Sequence, residues 1–328
     1  MKPVLTIFST GGTIASTFQA HGRAAAALGA DDLRRYVEDF QDRVEIRTVD
    51  VARVQSSQLT LAVLQQLADT IGKTLEADDT VGCVVTHGTL TMQESAYLVD
   101  LLLNAAKPVI FTGAMVTADR AGSDGPANLR NAVRAALSPE AGQYGVLVCF
   151  NGELHLASRV VKTHSSAVNA FSSPGFGPAG IVDEDRVLFH HPPLPRIHLP
   201  IARLRTDVDV IPAVLDASDK LLRCSVESRP DGIVIEGFPG RGSVPSSFMP
   251  LIARAVAEGI PVVLTSRALE GRILPKYGGG TGGADLADLG VIFARGLPAS
   301  KARLLLMVAR SYTDDLNQIR EIFARFCP

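Results

Sequence analysis

Short runs of aliphatic and β-branched residues recur along the chain, each closed by a glycine or a small polar cluster and followed by a stretch with apolar positions at helical spacing. Runs at 4–8, 44–51, 82–85, 109–112 and 145–150 predict strands, and amphipathic stretches at 59–74 and 128–137 predict helices between them. Most of the runs are apolar throughout rather than alternating, the pattern of strands covered on both faces. The expected fold is therefore α/β, with a larger N-terminal domain built on a doubly wound, mostly parallel sheet. After position 187 the pattern breaks at "LFHHPPLPRIHLP", whose prolines exclude a helix interior or a central strand. Alternation then resumes at 208–211, 232–236 and 262–265, with a helix at 299–310. The expected division is an N-terminal domain at 1–190, a linker at 191–205 and a smaller C-terminal α/β domain at 206–328. The glycine-dense stretch at 278–290 reads as a flexible loop.

Composition narrows the function. With 328 residues, 46% of them hydrophobic and 20% charged, the chain can bury a large core. The formal net charge is −2 with both signs interspersed, so no basic field invites nucleic acid and the expected partner is a small molecule. Four cysteines (Cys83, Cys149, Cys224, Cys327) are widely separated, without CxxC or a His/Cys cluster at metal spacing. Cys83 and Cys149 lie inside apolar runs and read as core residues, which suits a reducing compartment. The start "MKPVLTIFSTGG" lacks the charged head, long apolar core and cleavage site of a signal peptide, and no apolar run reaches the roughly 18 residues of a membrane span. A soluble cytoplasmic protein is expected.

Two constellations carry chemistry. In "FSTGGTIAS" a strand ends at Phe8, Gly11 and Gly12 allow a sharp turn and close approach to a ligand, and Thr13 follows at the sheet edge. A nucleotide-binding glycine turn would look similar, but GxGxxG is not satisfied and no acid closes a following strand at the right place. In "VVTHGTLTMQESAYLVD" a second strand ends in Thr86, His87, Gly88 and Thr89 before a helix begins. Two threonines at two strand ends could converge on a ligand, yet a hydroxyl is a poor nucleophile without a nearby base. His87 is one candidate base, although a structural histidine is the commoner outcome at such a site. Lys162, behind two valines in "SRVVKTHSS", is another, because desolvation can hold a lysine neutral. A Ser-His-Asp triad has no support, since GxSxG is absent.

The segments TGGTI (10–14), THGT (86–89) with TMQESA after it, GAM (113–115), SDGPANLRNAV (123–133), VVKTHSS around Lys162 and KARLLL (301–306) resemble, in order and spacing, the bacterial L-asparaginases of the asparaginase/glutaminase family. The resemblance covers nearly the whole chain. It implies an amidohydrolase without metal or cofactor in which a threonine forms an acyl-enzyme. By position Thr13 matches the nucleophile, and Thr89 matches the second threonine, paired with Lys162. Ser56 and its neighbour Ser57 fall where the family binds substrate, Ala114 matches a backbone contact, and Gly12 and Gly88 stand at the two turns that line the substrate. The family's usual assembly is a homotetramer of close dimers with sites at subunit contacts. Independently of the resemblance, backbone N–H groups at the Gly88–Thr89 turn are suited to receive the oxyanion of acyl transfer, and one such donor is typically worth about 2.7–4 kcal/mol.

The chain departs from that family at three places. THGT is followed by Leu90 instead of an aspartate that holds the substrate's α-ammonium, and a charge-assisted hydrogen bond is worth about 1.5–3 kcal/mol. The flexible loop "STFQAHGRAAAALGADDL" has no tyrosine, with Arg23 at or near its place. A substrate-binding asparagine of the C-terminal domain aligns with Arg241 in "GFPGRG". If the arginines face the site, the pocket has lost a negative charge and gained positive ones, which favours an amide without the amino group and with extra carboxylate. Three functions follow: a threonine-dependent amidohydrolase acting on asparagine or a related small amide, a divergent amidase for a des-amino amide, and a catalytically silent homologue that binds an amino-acid-like ligand. Both hydroxyls and the lysine are present, which disfavours silence. An amidotransferase subunit acting on charged transfer RNA is disfavoured by the lack of a basic patch.

Overall fold

A computed structural model describes residues 2–19, 22–194, 196 and 198–326. Cys327 lies outside the described residues, as do two positions of the linker segment. The chain divides into two compact units between His198 and Leu199.

The first unit is built on an eight-stranded sheet in the order Arg186–Phe189, Gly180–Asp183, Glu153–Leu156, Val146–Phe150, Val109–Thr112, Thr80–Thr86, Val4–Gly11, Glu45–Val54. Every residue of the Val4–Gly11 strand is buried, its small polar Thr6, Ser9 and Thr10 included, and it is hydrogen-bonded in parallel to Thr80–Thr86 on one side and Glu45–Val54 on the other. Parallel pairing continues through Val109–Thr112 to Val146–Phe150. The last three strands are antiparallel and lie outside the apolar runs, because they are short and only partly buried. Leu188 and Phe189, where the sequence pattern breaks, belong to the edge strand Arg186–Phe189; prolines begin only at Pro192, and an edge strand pairs on one side alone.

The helices follow their capping and spacing signals. Leu61–Leu75 begins at Thr60, whose hydroxyl accepts the Val63 N–H at 3.4 Å, and it buries Leu64, Leu67, Ala68, Ile71 and Leu75 along one stripe. Gly125–Ala136 starts with a proline in its first turn, where the missing N–H costs nothing. From Val4–Gly11 the chain passes to one side of the sheet, and from Thr80–Thr86 to the other. The carboxyl ends of these two neighbouring strands are therefore the topological switch point, where open α/β sheets bind ligands.

The second unit carries a four-stranded parallel sheet, Val208–Pro212, Gly232–Gly237, Val262–Ser266 and Ile292–Phe293, with the helices Lys220–Ser228, Met249–Ala257, Ala299–Tyr312 and Leu316–Phe326. The glycine-dense stretch is not loop throughout. It contains the helix Gly283–Asp288, started by Asp285, whose carboxylate accepts the N–H groups of Gly280 and Gly282 at 2.9 Å each. Among the described residues no helix is long and apolar enough to cross a membrane.

Candidate active site

The first wall of the site is the turn after Val4–Gly11. Gly12 adopts φ 79° and donates its N–H to Val54 O at 3.0 Å, while its own carbonyl accepts Ala15 N at 3.1 Å and Ser16 Oγ at 2.8 Å. These bonds wind Thr13–Ala15 into one turn of 3₁₀ helix. Ile14 and Ala15 are buried, so the core anchors the turn and leaves the half-buried Thr13 at the carboxyl edge of the sheet.

The second wall is the turn after Thr80–Thr86. Thr10 Oγ1 donates to Thr86 O at 3.1 Å, tying the two strand ends together, and His87 N donates to Thr112 O at 2.8 Å. His87 is fully buried beside Phe111, and its Nδ1–H donates to Gly88 O at 2.7 Å, which fixes the tautomer. Burial lowers its pKa from 6.5 to about 4, so the ring is neutral and holds the turn rather than presenting itself to a substrate. Gly88 lies against both neighbours. A Cβ on Gly12 would run into the Cα and N of Gly88, and a Cβ on Gly88 would stand 2.7 Å from Ser56 Oγ. Ser56 is buried, and its carbonyl accepts Thr91 Oγ1 at 3.1 Å, whereas Ser57 is exposed. Three segments, at 12–13, 56 and 88–91, thus meet at one place.

Lys162 enters from a two-stranded ribbon, Val161–Lys162 against Phe171–Ser172. Its Nζ donates to Thr89 Oγ1 at 2.8 Å, and desolvation lowers its pKa from the usual 10.5. Thr89 is buried; the lysine is half-buried rather than fully enclosed. Ala114 is buried, and the backbone after it is held by Asp124, whose carboxylate accepts Met115 N at 3.0 Å and Val116 N at 2.9 Å. Asn128 completes this brace, donating to Gly113 O and accepting Asn151 N at 3.0 Å each. Asp124, Asn128 and Gln93, which accepts the Lys162 N–H at 2.7 Å, support the site but are not singled out by sequence reasoning. The available signal is the SDGPAN segment, whose carboxylate and carboxamide lie one helical turn apart and so act on the same neighbouring loop.

Other expected site residues stand differently. Leu90 follows Thr89 and is 58% exposed at the rim. The segment expected as a flexible loop forms a hairpin, Ser16–Phe18 with Ala24–Ala26. Arg23 is exposed there, with its carbonyl accepting Gln19 N at 2.8 Å, and among the described contacts its guanidinium engages neither Thr13 nor Thr89. Arg241, in the second unit, is exposed and donates to Arg272 O at 3.1 Å. Among the described residues no group of three or more His, Cys, Asp or Glu is arranged to hold a metal ion.

Comparison with known proteins identifies the family. The family model for the asparaginase N-terminal domain matches residues 4–195, and that for the glutaminase/asparaginase C-terminal domain matches residues 207–323. The chain is 35% identical to an L-asparaginase of Bacillus licheniformis over 309 residues, covering 94% of this chain and 95% of the relative. It is 34% identical to a glutamyl-tRNA(Gln) amidotransferase subunit of Haloquadratum walsbyi, covering 98% of this chain and 75% of that one. The crystal structure of a probable cytoplasmic L-asparaginase from Campylobacter jejuni superposes with a TM-score of 0.89 at 32% identity, covering 99% of this chain and 100% of the other. With both halves matched in order, the protein belongs to the asparaginase family.

Proposed function

We propose that this protein hydrolyses the side-chain amide of a small carboxamide, asparagine or a relative of it, to the acid and ammonia, with Thr13 as nucleophile. The observation that carries the reading is the packing of Gly12 on Gly88, which brings the turn bearing Thr13 against the turn bearing Thr89 and its Lys162 partner. In the first half-reaction Thr13 Oγ bonds to the amide carbon. The C–N bond breaks, the hydroxyl proton ends on the leaving nitrogen, and ammonia departs from a threonyl ester. Water then attacks the ester, which releases the acid and restores the Thr13 hydroxyl. The Thr89–Lys162 pair carries the protons: with Lys162 neutral, the Thr89 O–H donates to Nζ, and Thr89 Oγ1 in turn accepts from the attacking hydroxyl or water. The oxyanion of each step faces the amides at Gly88–Thr89.

Leu90 favours a particular subset of substrates. Its exposed side chain stands next to Thr89, where an ammonium group would find no countercharge from this residue and a methylene would gain apolar contact. The reading is therefore an amidase that prefers a des-amino or carboxylate-rich amide. Assembly into a homo-oligomer and a cytoplasmic location belong to the same proposal. The first is supported by large exposed apolar side chains such as Leu215 and Leu221, the second by the free thiols of Cys83, Cys149 and Cys224.

The test is Thr13→Ala. Ammonia release from the best amide should fall by several orders of magnitude while the thermal midpoint stays within a few degrees of wild type. Near-normal turnover in that variant would remove Thr13 from its role.

A further inference from the structure

Lys162 must reach Thr89 from a part of the fold that the main sheet does not directly fix. Its strand is two residues long and pairs only with Phe171–Ser172, outside the eight-stranded sheet. A lysine tip on a four-carbon stem has ample rotamer freedom, so a proton acceptor placed there needs its backbone held. The structure supplies two ties. Directly after the far strand of the ribbon, Ser173 Oγ and His155 Nδ1 lie 3.0 Å apart, and His155 belongs to the Glu153–Leu156 strand of the main sheet. On the near strand, Lys162 N donates to Gln93 Oε1 at 2.7 Å.

Gln93 is the second residue of the helix Met92–Leu102, which begins directly after the Thr86–Thr91 turn. One continuous segment, the turn and the start of the helix, therefore holds both ends of the lysine: Gln93 takes its backbone N–H, and Thr89, four positions earlier, takes its Nζ at 2.8 Å. In an antiparallel ribbon the N–H that points away from the partner strand has no ladder acceptor, and without Gln93 nothing within this ribbon would take its place. We infer that Gln93 is a positioning residue for the proton-accepting pair, setting where the backbone of Lys162 sits and hence whether Nζ meets Thr89. The inference rests on the proposed roles of Thr89 and Lys162, but its geometric core can be read without turnover.

The experiment compares Gln93→Met, close in length but without a strong acceptor, Gln93→Ala, and Gln93→Glu, which keeps an acceptor oxygen at the same reach. Crystal structures and kcat and KM for the best amide are measured for each, with thermal midpoints as the folding control. In Gln93→Met and Gln93→Ala, Nζ should leave hydrogen-bonding distance of Thr89 Oγ1, and kcat should fall on the order of 10- to 100-fold with KM changed by less than about threefold. Gln93→Glu should keep the Lys162 N–H bound and restore kcat to within about threefold of wild type at its own pH optimum. Either an intact Lys162–Thr89 contact in both truncated variants or an unchanged kcat there would overturn the inference, leaving Gln93 as a plain satisfier of one N–H. If Lys162 moves as expected but wild-type protein releases ammonia from no amide, the positioning holds and the proposed function falls instead.

Discussion

Gly12 and Gly88 meet backbone to backbone: a side chain on the first would occupy the space of the Cα and N of the second. The contact closes the site, and each partner is constrained in its own way. Gly12 sits at φ 79°, where an L side chain is strained whatever the space, and its obstacle is main chain that cannot rotate away. The obstacle to a Cβ on Gly88 is the Ser56 side chain, with Oγ at 2.7 Å and Cβ at 2.8 Å. Gly12→Ala should therefore cost on the order of 3 kcal/mol or more, from backbone strain and overpacking together. Gly88→Ala should cost less and be relieved by Ser56→Gly, which should do nothing for Gly12→Ala. Urea unfolding midpoints of the single and double variants measure this. Equal rescue of both glycine variants would show that the contact is softer than its geometry implies.

The second prediction concerns the pH profile. The proton-accepting form of Lys162 is the neutral amine, so activity should rise as pH increases through the lysine's pKa, which desolvation holds below the ordinary 10.5. The ascending limb of kcat should accordingly lie below pH 10.5 and disappear in Lys162→Met, whose residual rate should be lower by several orders of magnitude. A limb that survives unchanged in Lys162→Met would assign it to another group.

Stability should also depend on pH through His87. Its folded pKa of about 4 is below the ordinary 6.5, so the unfolded chain takes up a proton first as pH falls. The contribution of the neutral ring is complete above pH 6.5 and is lost progressively between 6.5 and about 4, at about 1.4 kcal/mol per pH unit, or on the order of 3 kcal/mol. His87→Gln should lower stability at pH 7 by removing the bond to Gly88 O, yet show a shallower loss between pH 6.5 and 4. Chemical denaturation at several pH values tests this; parallel slopes in the two proteins would mean that other groups dominate.

How far these relationships are legible in the sequence depends on their range. Of the five parallel strands, the four inner ones are legible because a strand buried on both faces writes a mainly apolar run, whereas the edge strand Glu45–Val54 is legible from its recurring β-branched residues; the turns at Gly12 and Gly88 are legible because glycine next to small hydroxyls marks a strand end. The antiparallel strands Glu153–Leu156, Gly180–Asp183 and Arg186–Phe189 write no such run, being short and partly exposed. The helix Gly283–Asp288 is obscured by its glycines, although Asp285 three residues after Gly282 is a capping signal in plain view. Lys162 can be suspected from its two valines, but its partner Gln93 lies 69 residues away and no local pattern joins them. Arg23 shows the opposite failure. Counting along a segment places it by position, while its exposure and hairpin pairing are set by the contacts of its neighbours.

The last prediction separates the candidate substrates. Leu90 is 58% exposed beside Thr89, and a leucine offers an ammonium group neither charge nor hydrogen bond. A substrate methylene against it gains about 0.8 kcal/mol per buried CH₂, while a desolvated ammonium forgoes a charge-assisted bond of about 1.5–3 kcal/mol. The two effects have the same sign. Together they correspond to a preference on the order of 50- to 600-fold in kcat/KM for the des-amino analogue of asparagine over asparagine itself. Leu90→Asp should reverse the order, since Arg23, the cation expected nearest in the sequence, is exposed and makes no described contact that would neutralise the new carboxylate. The measurement is kcat/KM for both amides in both proteins. Wild-type protein that strongly prefers asparagine would mean that another group binds the ammonium, and Leu90 would then have no part in choosing the substrate.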